Sequence, residues 1–183
     1  MARERNTSKR RHTSHKITYV KATGDLSTRK DFILWVRSLM RDGTYTVVGV
    51  GGGTEITKAL NKAGIRFHFN KRGSRVIRSF RGRLMSENEL RWNMKRLEDL
   101  FARHDAYPRF FVPVINVAGV TVPVNGDEFP KIVHDVFDHI WVATLKGREV
   151  AKQKQFTGYP KVKIKTFPVK LPARFRRKRR KGK

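Results

Sequence analysis

Four groups of residues in this chain could do chemistry. They are a glycine-rich run, a set of His/Asp pairs, an acid-free stretch of cations with aromatics between them, and a strongly basic terminus. Gly49-Val50-Gly51-Gly52-Gly53-Thr54 falls between a β-rich apolar run and a helical pattern, where backbone amides and a helix dipole can hold a phosphate. The spacing is neither G-x-G-x-x-G nor G-x-x-x-x-G-K-[ST], and no acidic residue stands about 20 positions on to hold a ribose. The run therefore reads as a tight strand-to-helix turn or a contact to a nucleic-acid phosphate, ahead of a mononucleotide site. No cofactor is expected.

His134-Asp135 and Asp138-His139 place His and Asp at i and i+4, a spacing that on one helix could hold a metal. Val133, Val136, Phe137 and Ile140 claim the core face of that helix, so surface pairing is the expectation and no metal site is assigned. The chain has no cysteine, which removes disulfides, thiolate zinc and cysteine nucleophiles. No hydroxyl or carboxylate has an identifiable activating partner, and an enzyme is not expected.

Residues 62–83 carry 8 basic residues and no acid, interleaved with Phe67, His68, Phe69 and Phe80. Solvated faces usually mix signs, so this stretch is expected to neutralise phosphates, while an exposed ring could stack on an unpaired base. Alternation over residues 65–70 predicts a half-buried strand, with Ile65, Phe67 and Phe69 inward and Arg66, His68 and Asn70 outward.

The charge is concentrated at the ends. Residues 151–183 hold 14 Lys or Arg and no acid, residues 1–24 hold 7 against Glu4, and together they supply +20 of the net +27. Such segments need an external polyanion, and a nucleic-acid backbone is the expected one. The candidate phosphate contacts are Arg3, Arg5, Lys9, Arg10 and Arg11 near the start, and Arg66, Lys71, Arg72, Arg75, Arg78, Arg81 and Arg83 in the middle. In the tail they are Arg174, Arg176, Arg177, Lys178, Arg179, Arg180 and Lys181.

A folded body must position these groups. Residues 16–22 read as a first strand. Phe32, Trp35, Val36, Leu39 and Met40 then recur at helical spacing, with Asp25 or Ser27 as cap and Asp42-Gly43 as stop. Residues 44–50 predict a buried strand, and residues 54–63 a short helix with Ile56, Ala59, Leu60 and Ala63 inward and Gly64 at its end. Ser86 with Glu89 makes a capping box for a helix over 87–103, with Leu90, Met94, Leu97 and Phe101 inward. Residues 109–117 and 120–124 read as a hairpin joined at Ala118-Gly119, with Pro113 and Pro123 marking an open edge. A last helix is expected over 127–141, and the patterning fades after Gly147.

The expected fold class is α+β, a small mixed sheet packed with three to four helices. The body spans 16–147, between a basic arm at 1–15 and a basic tail at 148–183, both expected to be disordered. With 38% hydrophobic residues the chain can bury a core. It has no apolar run near the roughly 18–20 residues that span a bilayer, and no signal-peptide stretch at its start.

Residues 16–60 resemble the Alba family of small chromatin and RNA-binding proteins. The order strand, helix, strand, helix matches, the glycine turn falls at the second strand-to-helix junction, and Gly53-Thr54-Glu55-Ile56-Thr57-Lys58-Ala59-Leu60 is similar to the family's GxxIxKAv segment. The resemblance implies nucleic-acid contact from the loop after the first strand, where Lys21 falls, and from Lys58 in the helix motif. The chain departs from the family where Val50, Gly51 and Gly52 replace basic turn residues, and where residues 71–108 intervene before any completing hairpin.

The expected function is that of an RNA-binding structural component of a large ribonucleoprotein, of ribosomal or organellar-ribosomal type. It would be intracellular, with other proteins of the same assembly as further partners and no membrane. The alternatives are DNA packaging, as Alba-like chromatin or a viral nucleoprotein, and an enzyme acting on nucleic acid through the glycine turn or the His134 to His139 segment.

Overall fold

The structure, a computed structural model, describes residues 16–22, 24–41, 43–70, 75–117 and 120–169. Along the chain run β1 (Ile17–Ala22), a 3₁₀ turn (Gly24–Thr28), α1 (Lys30–Arg41), β2 (Tyr45–Gly49) and α2 (Gly53–Lys62). The short strands β3 (His68–Phe69) and β4 (Arg75–Val76) follow, then α3 (Phe80–Ala102), β5 (Arg109–Phe111), β6 (Val114–Val117) and β7 (Val120–Pro123). The chain continues through α4 (Phe129–Ile132), β8 (His139–Leu145), α5 (Glu149–Gln155) and β9 (Val162–Phe167). The fold is thus mixed α and β, as the patterning implies.

Five strands form the main sheet in the order β5-β2-β1-β8-β9, and all four pairings are parallel. Among the described residues antiparallel pairing is confined to two small hairpins, β3-β4 and β6-β7. From β1 the chain steps outward through β2 to β5, then crosses back to lay β8 and β9 on the other side of β1. Right-handed crossovers put the connections of those two halves on opposite faces of the sheet.

The side chains of β1 divide accordingly, with the period of two that a strand imposes. Val20 and Ala22 join the larger core with Val48 and Val50, with Phe32, Ile33 and Val36 of α1, Leu60 of α2, and Leu90, Leu97 and Phe101 of α3. Tyr19 and Ile140 point the other way, onto Phe129. Covered on both faces, the central strands are apolar runs, as buried parallel strands are.

Several expectations are corrected. The third helix starts seven residues earlier than the capping box over Ser86 places it, at Phe80 rather than Glu87: Ser79 is its cap, accepting a hydrogen bond from the Gly82 amide at 3.1 Å. Ser86 lies inside the helix, and its hydroxyl donates to Gly82 O at 2.8 Å. Gly82 permits this early start, because a Cβ there would stand 2.6 Å from Ile77 Cγ2 and 2.9 Å from Ile65 Cγ2. In the stretch 65–70 only His68 and Phe69 are extended, and Phe69 is turned outward rather than inward.

The residues expected to form the first hairpin strand are split. Arg109–Phe111 is the edge strand of the main sheet, and only Val114–Val117 pairs in the hairpin. The helix expected over 127–141 is a single turn at Phe129–Ile132, and Val136, expected inward, is exposed. His139–Leu145 is a strand instead, because its β-branched and aromatic residues fill the slot between β1 and β9. The sheet also runs past Gly147, where the patterning fades: α5 leads to β9, and Phe167 is core. Two cations of that segment, Lys163 and Lys165, lie over the rings of Trp141 and Trp35 at 5.6 and 5.9 Å.

Candidate nucleic-acid interface and the adjoining cavity

The acid-free stretch folds into a loop, the β3-β4 hairpin and the first turn of α3. Arg66, His68, Arg78 and Arg81 line one shallow groove there, and all four are exposed. Two rings of the same stretch also face solvent, Phe69 at 56% and Phe80 at 64% exposure. Phe67 is only partly exposed and packs against the core, as expected.

Arg75 is held differently. Its Nη2 donates at 2.7 Å to both Gly53 O and Thr57 Oγ1, and its guanidinium lies 5.3 and 5.2 Å from the ring centres of Phe67 and Phe69. Burial pushes its pKa below the ordinary value, though an arginine remains charged. Arg83 turns back to the Ile77 and Arg78 carbonyls. The Nε atoms of both arginines are buried without a hydrogen-bond partner.

Arg75 and Phe69 also form one wall of a cavity of about 310 Å³. It opens at the carboxyl ends of β1, β2 and β5, where Ala22, the turn Val50 to Gly53, and Pro113 line it. Arg83 and Arg96 add further positive charge to its wall, Lys21 lines it too, and Glu55 is the one acidic lining residue among those described. The turn is fixed from α3: buried Asn93 donates through Nδ2 to Gly51 O at 2.7 Å, and Arg96 Nη2 donates to Asn93 Oδ1 at 2.7 Å. α2 then starts at Gly53 with no side chain capping it, so its first amides keep the partial positive charge of a helix start.

Lys21 is not in a loop, as the resemblance implies, but in β1 itself, with its ammonium largely buried and paired with Asp127. Asp127 Oδ2 also accepts from Lys152 Nζ at 2.7 Å, so one carboxylate ties β1 to α5. Burial lowers the Lys21 pKa even though Asp127 opposes the shift. Burial alone would raise Asp127, but the two ammonium groups outweigh it and hold the carboxyl at about 2.

Of the sequence-derived contacts, Lys58, Arg66, Arg78 and Arg81 are exposed, Arg75 and Arg83 are half-buried at the cavity, and Lys21 is internal. Arg3, Arg5, Lys9, Arg10, Arg11, Lys71, Arg72, Arg174, Arg176, Arg177, Lys178, Arg179, Arg180 and Lys181 lie outside the described residues. The His/Asp set comes apart: His134 meets its neighbour Asp135 at 3.1 Å, Asp138 Oδ2 accepts from the Ile17 amide at 2.7 Å, and His139 begins β8. Among the described residues no group of three or more His, Cys, Asp or Glu could hold a metal, and no helix is long and apolar enough to cross a membrane.

Asn93, Arg96 and Asn125 are cavity residues that sequence reasoning did not single out. Arg96 and Asn93 sit three apart on α3, a pairing that carries no motif; only the glycine run pointed to this place. No family model matches the chain, and a comparison with curated proteins finds no match.

Proposed function

We propose that this chain is an RNA-binding structural component of a large ribonucleoprotein. The observation that carries the reading is the pair of solvent-facing rings, Phe69 and Phe80, in a stretch that holds the exposed Arg66, Arg78 and Arg81 and no acid. Arginines neutralise phosphates of any nucleic acid, but exposed rings gain most from unpaired bases, which folded RNA offers in loops and ends. The basic segments at 1–15 and 170–183 add sequence-independent affinity, and the folded body decides where that affinity is used.

Fluorescence anisotropy with single-stranded RNA and duplex DNA, over a salt series, tests this. Each of Arg66, Arg78 and Arg81 replaced by Gln should reduce the single-strand salt slope by about 0.7. Phe69→Ala with Phe80→Ala should leave the slope unchanged and weaken RNA binding by about 1–3 kcal/mol per stacked base. Equal affinity for duplex DNA, with no effect of removing the rings, would replace this reading with DNA packaging.

A further inference from the structure

We propose that the cavity at the carboxyl ends of β1, β2 and β5 receives one nucleotide of the bound strand, with a phosphate against the Gly51 to Gly53 turn and Arg75. This rests on the RNA-binding reading above and adds to it a place where the strand is gripped.

Position is the first argument. In open parallel sheets, ligands enter beside the point where strand order reverses, outside the carboxyl ends of the strands. Here the order reverses at β1, and the cavity lies at the carboxyl end of β1 and of its outward neighbours. At about 310 Å³ it stands near the lower bound of about 300 Å³ for ligand pockets, a size for one small unit and not for a duplex.

The glycines carry the second argument. A Cβ built on Gly53 would meet nothing within 4 Å, and one on Gly51 would meet only Ala22 O at 4.0 Å. Neither has positive φ, so neither the backbone nor the packing of the protein requires glycine there. Close approach of a ligand to the main chain does, as it does in phosphate-binding turns. The amides at the start of α2 have no side-chain cap and so keep the capacity to donate to an anion.

The cations give the third. Arg75, Arg83 and Arg96 stand against a single carboxylate among the described lining residues, Glu55, while the charge of Lys21 is already matched by Asp127.

The hairpin decides for a nucleotide of the strand over a free one. Phe69 and Arg75 line the cavity, while their neighbours His68 and Val76 line the outer groove with Arg66, Arg78 and Arg81. A strand in that groove has only β3-β4 to cross to place one residue inside.

The test uses the full chain with a short single-stranded oligouridylate, uridine monophosphate and adenosine triphosphate as probes. Gly51→Leu with Gly53→Leu fills the cavity from positions that face open space. In a protein that melts like the wild type, oligouridylate affinity should fall by about tenfold or more, with the salt slope reduced by about 0.7 for the one phosphate displaced. Unchanged affinity in that folded variant overturns the proposal while leaving the RNA-binding reading intact; failure of the wild type to bind oligouridylate removes both. Tight binding of either free nucleotide without competition from the oligomer overturns it as well. Should the leucine pair unfold the protein, an oligomer carrying 4-thiouridine is crosslinked to the wild type. Crosslinks at Gly51, Gly53 or Arg75 support the proposal, and crosslinks confined to Phe69, the groove and the termini overturn it.

Discussion

The ring of Tyr19 in β1 fills the space that a side chain on Gly49 of β2 would need: a Cβ built there would lie 2.7 Å from Tyr19 Cζ and closer still to its hydroxyl. Tyr19 is buried against Phe129 and Phe137 and has no exit to solvent. Its phenol is pushed well above the ordinary value, by burial first and then by the Asp127 charge. Gly49→Ala should therefore cost about 1–3 kcal/mol by overpacking, read as a fall in Tm of about 2–4 °C per kcal/mol. In a Tyr19→Val background most of that cost should vanish. An equal cost in both backgrounds would rule out this contact as its cause.

Asp127 predicts an acid limb of stability. Its folded pKa of about 2 lies below the ordinary 3.8, so its contribution is complete above about pH 4 and is lost as pH falls through 2. The size is about 2 kcal/mol at neutral pH. Urea unfolding should show Asp127→Asn to be less stable than the wild type near pH 6, with Lys21 then left buried and unpaired. The gap should close between about pH 4 and pH 2. A gap that stays constant over that range would mean that the carboxylate is not held by its two lysines.

The cap of α3 can be checked by a pair of substitutions. Ser79→Ala removes the acceptor of the Gly82 amide and should cost about 1 kcal/mol. Ser86→Ala removes a hydroxyl that only reinforces a helical carbonyl and should cost less. The opposite ranking in thermal melts would restore Ser86 as the helix start.

The first half of the fold was legible because its signals are local. Phe32 and Val36 fall on one helical face, Val48 and Val50 lie in an unbroken apolar run, and Gly64 stops α2 with φ of 66°. The second half was not, because β8 and β9 gain their identity from partners far away in sequence. His139–Leu145 fits a helical period as well as a strand, and only the slot between β1 and β9 decides. Lys163 and Lys165 look like a solvated basic tail until Trp35 and Trp141 are placed beneath them. At the site, the glycine run marked the right place, but the strand order that makes it a cavity mouth cannot be read from local spacing.

The extent of the sheet is testable by truncation. A chain ending after Gly147 loses β9 and the core ring of Phe167, and bares the edge of β8. It should melt well below a chain ending after Val169, which keeps β9, or fail to stay in solution. If the shorter chain kept its melting temperature, β9 would be an appendage and not a sheet member.

The first strand among the described residues is also the central one of the main sheet. β1 pairs with β2 soon after it is made, but its other edge waits for β8, and the Asp138 carboxylate reaches the Ile17 amide across 121 residues. During synthesis the early half must therefore hold one open strand edge, with Tyr19 lacking its cover, until the chain has been extended past Leu145. Such long-range closure slows folding and leaves an edge to which another chain can add.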